Sequence, residues 1–252
     1  MREGVSAPDN ASEWEGRRYT PPMPSPTLLL DTGSPLVSVA LAIDGVAVAF
    51  RSVEQHRSST LLLDLVREVL EEAGVGVREL GGIAVLRGPG SFTGLRIGLA
   101  TVLGLHQVLE VPATALPSLQ VMAAAVPARA GEIVIAAVDA LRGDWSAQAF
   151  AAGPVPRPLS EMALVPGPEL PRLTGGRPAG IVAGFGVARL AELPGWPADL
   201  RLVEPGPLAP AAAAIAADPG TEWNAQLLTS AVYSRPPAIS LPKPRVAAAP
   251  RA

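Results

Sequence analysis

The sequence contains no cysteine, and its 252 residues include only two histidines and one lysine. Without cysteine, disulfide frameworks and zinc sites built on thiolates are excluded. The lysine, Lys243, lies in a proline-rich tail, which argues against a phosphate-binding loop lysine or a Schiff-base lysine. The groups available for catalysis are therefore few.

The two histidines do not form a recognisable metal motif. His56 precedes the first long helix, and a helical metal pair would need a second ligand four residues later, where the chain has Thr60. We expect His56 to cap that helix or to lie on the surface. His106 falls within an apolar helix and is expected to be an interior or interface histidine. No metal site is expected.

The overall charge and hydropathy favour a globular protein with a large core. The net charge of −3 does not predict a basic surface for nucleic acid. Hydrophobic residues make up 48% of the chain, which is enough for one or two domains. The first 26 residues contain no apolar signal core, so a cytoplasmic protein is expected.

A glycine loop is the most distinctive local feature. An apolar run over 83–86 leads into Gly88-Pro89-Gly90-Ser91-Phe92-Thr93-Gly94-Leu95-Arg96, which indicates a buried strand, a tight turn and then a helix. Ser91 and Thr93 can cap that helix, and its free N–H groups could hold an anion. The alternative is an ordinary turn between a strand and a helix.

The helix predicted over 92–109 is apolar nearly all the way round. One face should pack on its own sheet, and a second face carrying Gly94, Gly98 and Thr101 could admit a partner helix closely. Burial of both faces within the same chain remains the alternative. The segment is too short and too interrupted to be expected as a membrane span.

The order of strands and helices in the first half predicts an α/β domain over 27–118. Its hairpin is marked by Asp44-Gly45, a strong two-residue turn signal. The predicted strands are 27–31, 36–43, 46–52, 82–86 and 111–116, with helices ending at Gly74, over 92–109 and from Ser118.

The second half, over 119–235, repeats this order in a shorter form. Strands are predicted over 133–139, 145–150 and 180–186, with helices near 208–217 and 221–232, while 151–179 reads as loops. Residues 1–26 and 236–252 are predicted to be disordered extensions. The repeat predicts an α/β fold of two related halves, the second degenerate.

Asp31-Thr32-Gly33-Ser34 follows the first strand and has three readings. It could supply one carboxylate of a homodimeric aspartic protease, although no second Asp-Thr-Gly exists in the chain. It could be a phosphate loop of an actin-like ATPase or sugar kinase. Such an enzyme would need a second acidic loop in the other half, and the segment that begins at Asp139 matches that loop poorly. Arg87 and Arg96 are the nearby cations. It could also be a turn in which Asp31 binds the backbone.

The glycine-loop string, extended through Ile97-Gly98-Leu99-Ala100, resembles the signature of the TsaB (YeaZ) family. Further matches occur in the same order along the chain and cover about 27–235. They are Leu30-Asp31-Thr32, His56, Val138-Asp139-Ala140-Leu141-Arg142-Gly143-Asp144 and Val232-Tyr233-Ser234-Arg235.

The resemblance implies an actin-like fold, also called ASKHA, of two duplicated domains. It implies a non-catalytic scaffold that pairs with the TsaD transferase, with the TsaE ATPase joining them, to form threonylcarbamoyladenosine next to the tRNA anticodon. The chain would contact tRNA only through that complex, would not bind a membrane, and would form a homodimer when alone.

The family's pairing surface is built from two long helices, here about 57–73 and 92–109. No cofactor is implied, but a nucleotide at the partner interface is left open, with Asp31, Thr32 and Arg87 as its candidate contacts. The residues implied at the partner interface are Leu62, Leu65, Val69, Phe92, Gly94, Leu95, Gly98, Thr101, Val102 and Leu105.

Overall fold

A computed structural model describes residues 24–54, 58–177 and 180–235, with side chains from residue 61 onward in the second range. His56 and Thr60, the tail 236–252 and most of the predicted extension 1–26 lie outside the residues described in this way.

The first half forms a five-stranded sheet in the order β3-β2-β1-β4-β5. β1 pairs antiparallel with β2 and parallel with β4, so the hairpin lies on one side of β1 and the crossover strands on the other. The predicted strands are all present. Their bounds are Thr27–Asp31, Leu36–Ile43, Val46–Glu54, Gly82–Leu86 and Ala113–Leu116 for β1 to β5.

The second half repeats the same arrangement. Its central strand β6 pairs antiparallel with β7 and parallel with β10, which in turn pairs parallel with β11. This repetition confirms the predicted actin-like fold of duplicated α/β halves. The strands are β6 Ile133–Asp139, β7 Asp144–Ala151, β8 Arg157–Pro158, β9 Ala163–Pro166, β10 Ile181–Ala183 and β11 Arg201–Val203.

Within the described ranges, four α-helices accompany these strands. The second half is degenerate because short 3-10 helices stand between its later strands. The two helices of the first crossovers are long, whereas Val187–Glu192, between β10 and β11, is only a 3-10 turn. The α-helices are α1 Ser58–Ala73, α2 Phe92–Leu109, α3 Ser118–Ala124 and α4 Leu208–Ala216.

Two of the local predictions for the second half were wrong. The segment 151–179 is not mainly loop, because β9 pairs with β7 and a 3-10 helix spans Gly167–Thr174. The helix predicted near 221–232 is only a 3-10 helix, Ala225–Thr229. It packs on β5 and α2, and its Leu228 is buried in the core beneath α1 and α2, so tertiary contact rather than helix propensity sets its conformation.

Successive side chains of a strand point to opposite faces of its sheet, so each sheet has a core on both of its faces. The sheets and the helices that cover them therefore form five layers. Leu28 and Leu30 of β1 face the core shared with α1 and α2, whereas Leu29 faces the opposite side. That middle core contains α3, α4 and residues of both sheets, and a third core lies under the 3-10 helices of the second half. α4 also packs on β1, β2 and β3. The predicted boundary at 118/119 falls at the first residue of α3 and stays a prediction.

The face of α2 that packs on the sheet is the face that carries Gly94 and Gly98. Both glycines are buried, and a Cβ on Gly98 would lie 2.2 Å from the Thr32 hydroxyl oxygen. The prediction that this face admits a partner was therefore wrong. Of the ten residues implied at the partner interface, seven are buried within the chain: Leu62, Leu65, Val69, Gly94, Leu95, Gly98 and Val102.

The opposite face of α2 is open to solvent. Ala100 and Gly104 are exposed, Val108 is 80% exposed, and Thr101 and Leu105 are half-buried. By length and composition alone α2 could cross a membrane, but one such helix is weak evidence. His106 is half-buried, and its Nδ1 lies 2.7 Å from the Val111 carbonyl oxygen, which fits the predicted interior or interface histidine.

Two glycines of α2 provide a matched test of this orientation. Gly98→Ala should lower the free energy of unfolding by about 1–3 kcal/mol, because the new methyl group displaces Thr32 and Val85. Gly104→Ala should raise it by up to about 1 kcal/mol, because nothing lies within 4 Å and alanine favours helix. Urea unfolding of both variants measures the difference, and equal effects would contradict the orientation.

Candidate functional site

A cavity of about 450 Å³ opens between the two halves, at the carboxyl ends of the central strands. β1 contributes Asp31 and β6 contributes Asp139, while the glycine loop and α2 contribute residues 89–92. Apolar side chains dominate the rest of the wall, including Met122, Phe185 and Leu208. Its position between related α/β halves and its few convergent polar groups make it the candidate site.

Asp31 is buried, and its own turn satisfies its carboxylate. Oδ1 accepts hydrogen bonds from the backbone N–H groups of Gly33 at 2.9 Å and Ser34 at 3.3 Å. Oδ2 accepts from the Ser34 hydroxyl. Burial raises the pKa of Asp31 to about 6, and these hydrogen bonds oppose the rise. This geometry agrees with the third interpretation of the sequence, a turn in which Asp31 binds the backbone.

Asp139 holds the equivalent turn in the second half. Its Oδ1 accepts from the Leu141 N–H at 2.8 Å, and Oδ2 lies 2.7 Å from an Arg189 nitrogen. Residues 141–143 of this turn all have positive φ, which is uncommon for leucine and arginine. The turn thus places Leu141, 69% exposed, at the cavity rim.

The other two candidate nucleotide contacts do not line the cavity. The Thr32 hydroxyl donates to the Gly94 carbonyl oxygen at 2.7 Å and so holds the first turn of α2 against β1. The Arg87 side chain is absent from the cavity wall, and its buried Nε has no hydrogen-bond partner among the described residues. Neither side chain meets Asp31 across the cavity.

Hydrogen bonds of the glycine loop connect it to neighbouring elements of the chain. Gly88 N–H donates to the Ser118 hydroxyl at 2.9 Å, and Ser91 N–H donates to the Gly33 carbonyl at 2.8 Å. The Ser91 hydroxyl accepts from Gly94 N–H at 3.3 Å, as predicted for the helix cap. The loop therefore joins the β1 turn, α2 and α3, and the anion site stays a prediction.

A strap formed by residues 232–235 crosses the cavity mouth and contacts both halves. Val232 N–H donates to the Arg87 carbonyl at 2.7 Å. The Tyr233 ring lies 5.0 Å from that of Phe92, and its hydroxyl accepts from Arg96 Nε at 3.2 Å. Arg235 forms an ion pair with Asp144 in the second half. Sequence reasoning noted this string as a family match but assigned it no role.

The charges around the cavity do not suit a polyphosphate. Within the part of the chain that the structure describes, Arg235 is the only basic residue in the wall, and it is paired with Asp144. Two carboxylates, Asp31 and Asp139, face the same space. Phosphoryl transfer needs cations to neutralise developing negative charge. No group of three or more potential metal ligands occurs among the described residues.

Comparison with known sequences connects this chain to tRNA modification proteins. The sequence model of the TsaD family, tRNA N6-adenosine threonylcarbamoyltransferase, matches residues 52–150. The tRNA threonylcarbamoyladenosine biosynthesis protein TsaB of Haemophilus influenzae is 36% identical over 114 residues, 45% of this chain and 48% of that protein. The TsaB of Escherichia coli is 34% identical over 118 residues, which are 46% of this chain and 51% of that protein. The chain spans about half the length of these curated relatives.

Comparison with solved structures extends over more of the chain. YeaZ from Pseudomonas aeruginosa is 30% identical with a TM-score of 0.62, covering 76% of this chain and 89% of that one. A second structure is that of an uncharacterized protein with similarity to peptidase YeaZ from Pseudomonas aeruginosa. It is 29% identical with a TM-score of 0.64, and the match covers 75% of this chain and 89% of that one. Because three quarters of this chain are covered, the similarity extends into both halves.

Asp31→Asn tests whether the carboxylate charge matters to the fold. The folded-state pKa is raised, so the stability that Asp31 contributes is fully present below pH 4 and is lost as pH rises through about 6. Asparagine can keep the hydrogen bonds of the turn without a charge. At pH 8 the variant should therefore be as stable as the native chain or more stable by about 1–3 kcal/mol.

Thermal and urea unfolding at pH 4.5 and pH 8 measure this difference. The gain should be largest at pH 8 and should shrink at pH 4.5, where the native carboxyl is protonated in the folded state. A large loss of stability at pH 8 would show instead that the ionised carboxylate is required.

Proposed function

The chain belongs to the TsaB/YeaZ family, and from that premise we propose that it is a non-catalytic partner in forming threonylcarbamoyladenosine in tRNA. It pairs with a TsaD-type transferase through the exposed face of α2. A TsaE-type ATPase joins the complex, and the adenosine next to the anticodon is modified by the transferase. The observation that carries the proposal is an apolar stripe on the solvent-exposed face of α2, beside a cleft whose described wall contains no unpaired basic residue.

The exposed face of α2 supports the pairing. Ala100, Gly104 and Val108 recur every four residues, so they form one stripe along the helix. Small residues in that stripe let another helix approach closely. The part of the chain that matches the transferase family, 52–150, includes α1 and α2. Two chains that share these helices can pack them about an approximate two-fold axis. The same face would serve a homodimer when the transferase is missing.

The chemistry of the cavity supports a non-catalytic role. All of the hydrogen bonds described for the Asp31 carboxylate come from its own turn, and Asp139 is bound to its turn and to Arg189. An ATPase or sugar kinase would need Asp31 free to act on a phosphate-bound water or hydroxyl. An aspartic protease would need two carboxylates that share a proton. Both alternatives fit these contacts less well than a scaffold.

The remaining partners follow from the same role. The chain contacts tRNA only through the transferase, and it works in the cytoplasm, where tRNA is modified. It needs no cofactor of its own. A nucleotide at the interface with the transferase or the ATPase is compatible with this proposal, with Asp31, Thr32 and Arg87 as its candidate contacts.

Charged substitutions on the exposed face of α2 test the pairing. Ala100→Glu and Val108→Glu should each weaken binding to the TsaD-type transferase about 100-fold or more, because an unpaired charge would be buried at the interface. Leu164→Glu on β9, also at an exposed position, should leave binding unchanged. Sedimentation velocity of each variant mixed with the transferase measures the complex.

Circular dichroism and thermal unfolding confirm that each variant is folded before binding is compared. Normal pairing by both α2 variants would refute the assignment of this face. Hydrolysis of ATP by the purified chain, abolished by Asp31→Asn, would favour the ATPase alternative instead.

A further inference from the structure

The exposed face of α2 continues toward the strap at the N-terminal end of the helix. Arg96 is exposed and lies four residues before Ala100, about one turn earlier on the same side of α2. Tyr233 of the strap contacts this turn, because its hydroxyl accepts from Arg96 Nε at 3.2 Å and its ring lies beside that of Phe92. The stripe on α2 and the strap therefore form one continuous surface.

The Arg96 side chain lies along the first turns of α2, away from the stripe. Its guanidinium carbon is 3.8 Å from the centroid of the Phe92 ring, which is a cation–π contact. The hydrogen bond to Tyr233 fixes the same guanidinium. Without these contacts the long side chain could extend over Ala100, one turn away, and obstruct a helix that packs closely there.

The Arg96 guanidinium has donors left for a partner. Nε is its only side-chain nitrogen with a hydrogen bond among the described residues, and no ion pair involves Arg96 there. Its two terminal nitrogens can therefore bind a carboxylate. A partner helix that packs on the stripe and carries an aspartate or glutamate at this end fits the surface best.

Contacts on both sides of Tyr233 hold the strap in place. Val232 N–H donates to the Arg87 carbonyl, just after β4, and Arg235 pairs with Asp144 at the first residue of β7. One of these contacts belongs to each half of the protein. Tyr233 is thus positioned before a partner arrives, which reduces the conformational entropy that is lost on binding.

We propose that the strap is part of the pairing surface and holds Arg96 at one end of the stripe, where its guanidinium binds a carboxylate of the TsaD-type transferase. Asp144 is a positioning residue, because it holds Arg235 and through it Tyr233. The inference rests on the proposed function, since it extends the same face of α2. It makes a residue of the second half important for pairing.

Calorimetric titration of the full chain with the TsaD-type transferase tests this role of the strap. Tyr233→Ala should weaken binding about tenfold and Asp144→Asn about threefold, because the first removes the contact and the second loosens the strap. The double variant should bind as Tyr233→Ala does, since Asp144 acts only through the strap. Asp218→Asn removes another ion pair of the second half, with Arg157, and should leave binding unchanged.

Thermal unfolding of each variant is compared before binding is interpreted. Binding by Tyr233→Ala or Asp144→Asn within about twofold of the native chain would overturn the proposal, and so would additive effects in the double variant. The proposed function fails in a different way. If Val108→Glu also pairs normally, the exposed face of α2 is not the interface.

Hydroxyl-radical labelling of the native chain provides a second measurement, in case a variant does not fold. The free chain is labelled at a concentration at which sedimentation velocity shows a monomer. Adding the transferase should lower the labelling of Phe92 and Tyr233, whereas Met162 of the second half, which like Phe92 is 40% exposed, should be labelled as before. Protection of Val108 without Tyr233 would overturn the role of the strap, and protection of neither would refute pairing through α2.

Discussion

The close approach of α2 to the turn after β1 is the contact on which the rest of the structure depends. Ser91 N–H reaches the Gly33 carbonyl at 2.8 Å, and the Thr32 hydroxyl reaches the Gly94 carbonyl at 2.7 Å. Gly98 leaves room for Thr32 one turn later. This contact fixes the wall of the cavity and the rotation of α2 at the same time. The contact of one side of α2 with the β1 turn therefore determines which residues on its other side are exposed to solvent.

The duplicated halves keep the geometry of an actin-like cleft but not the charges that phosphate chemistry needs. Asp31 and Asp139 hold corresponding turns at the ends of β1 and β6, and each carboxylate binds the N–H two residues later, in Gly33 and Leu141. These carboxylates therefore stabilise the two turns at the cleft. The strap at 232–235 joins the same two halves from outside, so both sides of the cleft are restrained.

Much of this fold follows from local sequence pattern. Strand alternation, the Asp44-Gly45 turn and the Gly88–Arg96 loop predict the first sheet and α2, because each signal is local. The orientation of α2 could not be predicted, since glycines four residues apart serve a sheet or a partner helix equally well. Only the position of Thr32, set by the register of β1, decides between them. The strap contacts likewise join residues more than 90 positions apart.

Mass spectrometry of tRNA from a reconstituted reaction tests the central claim most directly. The mixture contains the TsaD-type transferase, the TsaE-type ATPase, ATP, threonylcarbamoyl-adenylate and unmodified tRNA, with or without this chain. Threonylcarbamoyladenosine should form only when the chain and the transferase are both present, and Asp31→Asn should support the same yield. Product formed by the chain without the transferase, or a yield abolished by Asp31→Asn, would contradict the account.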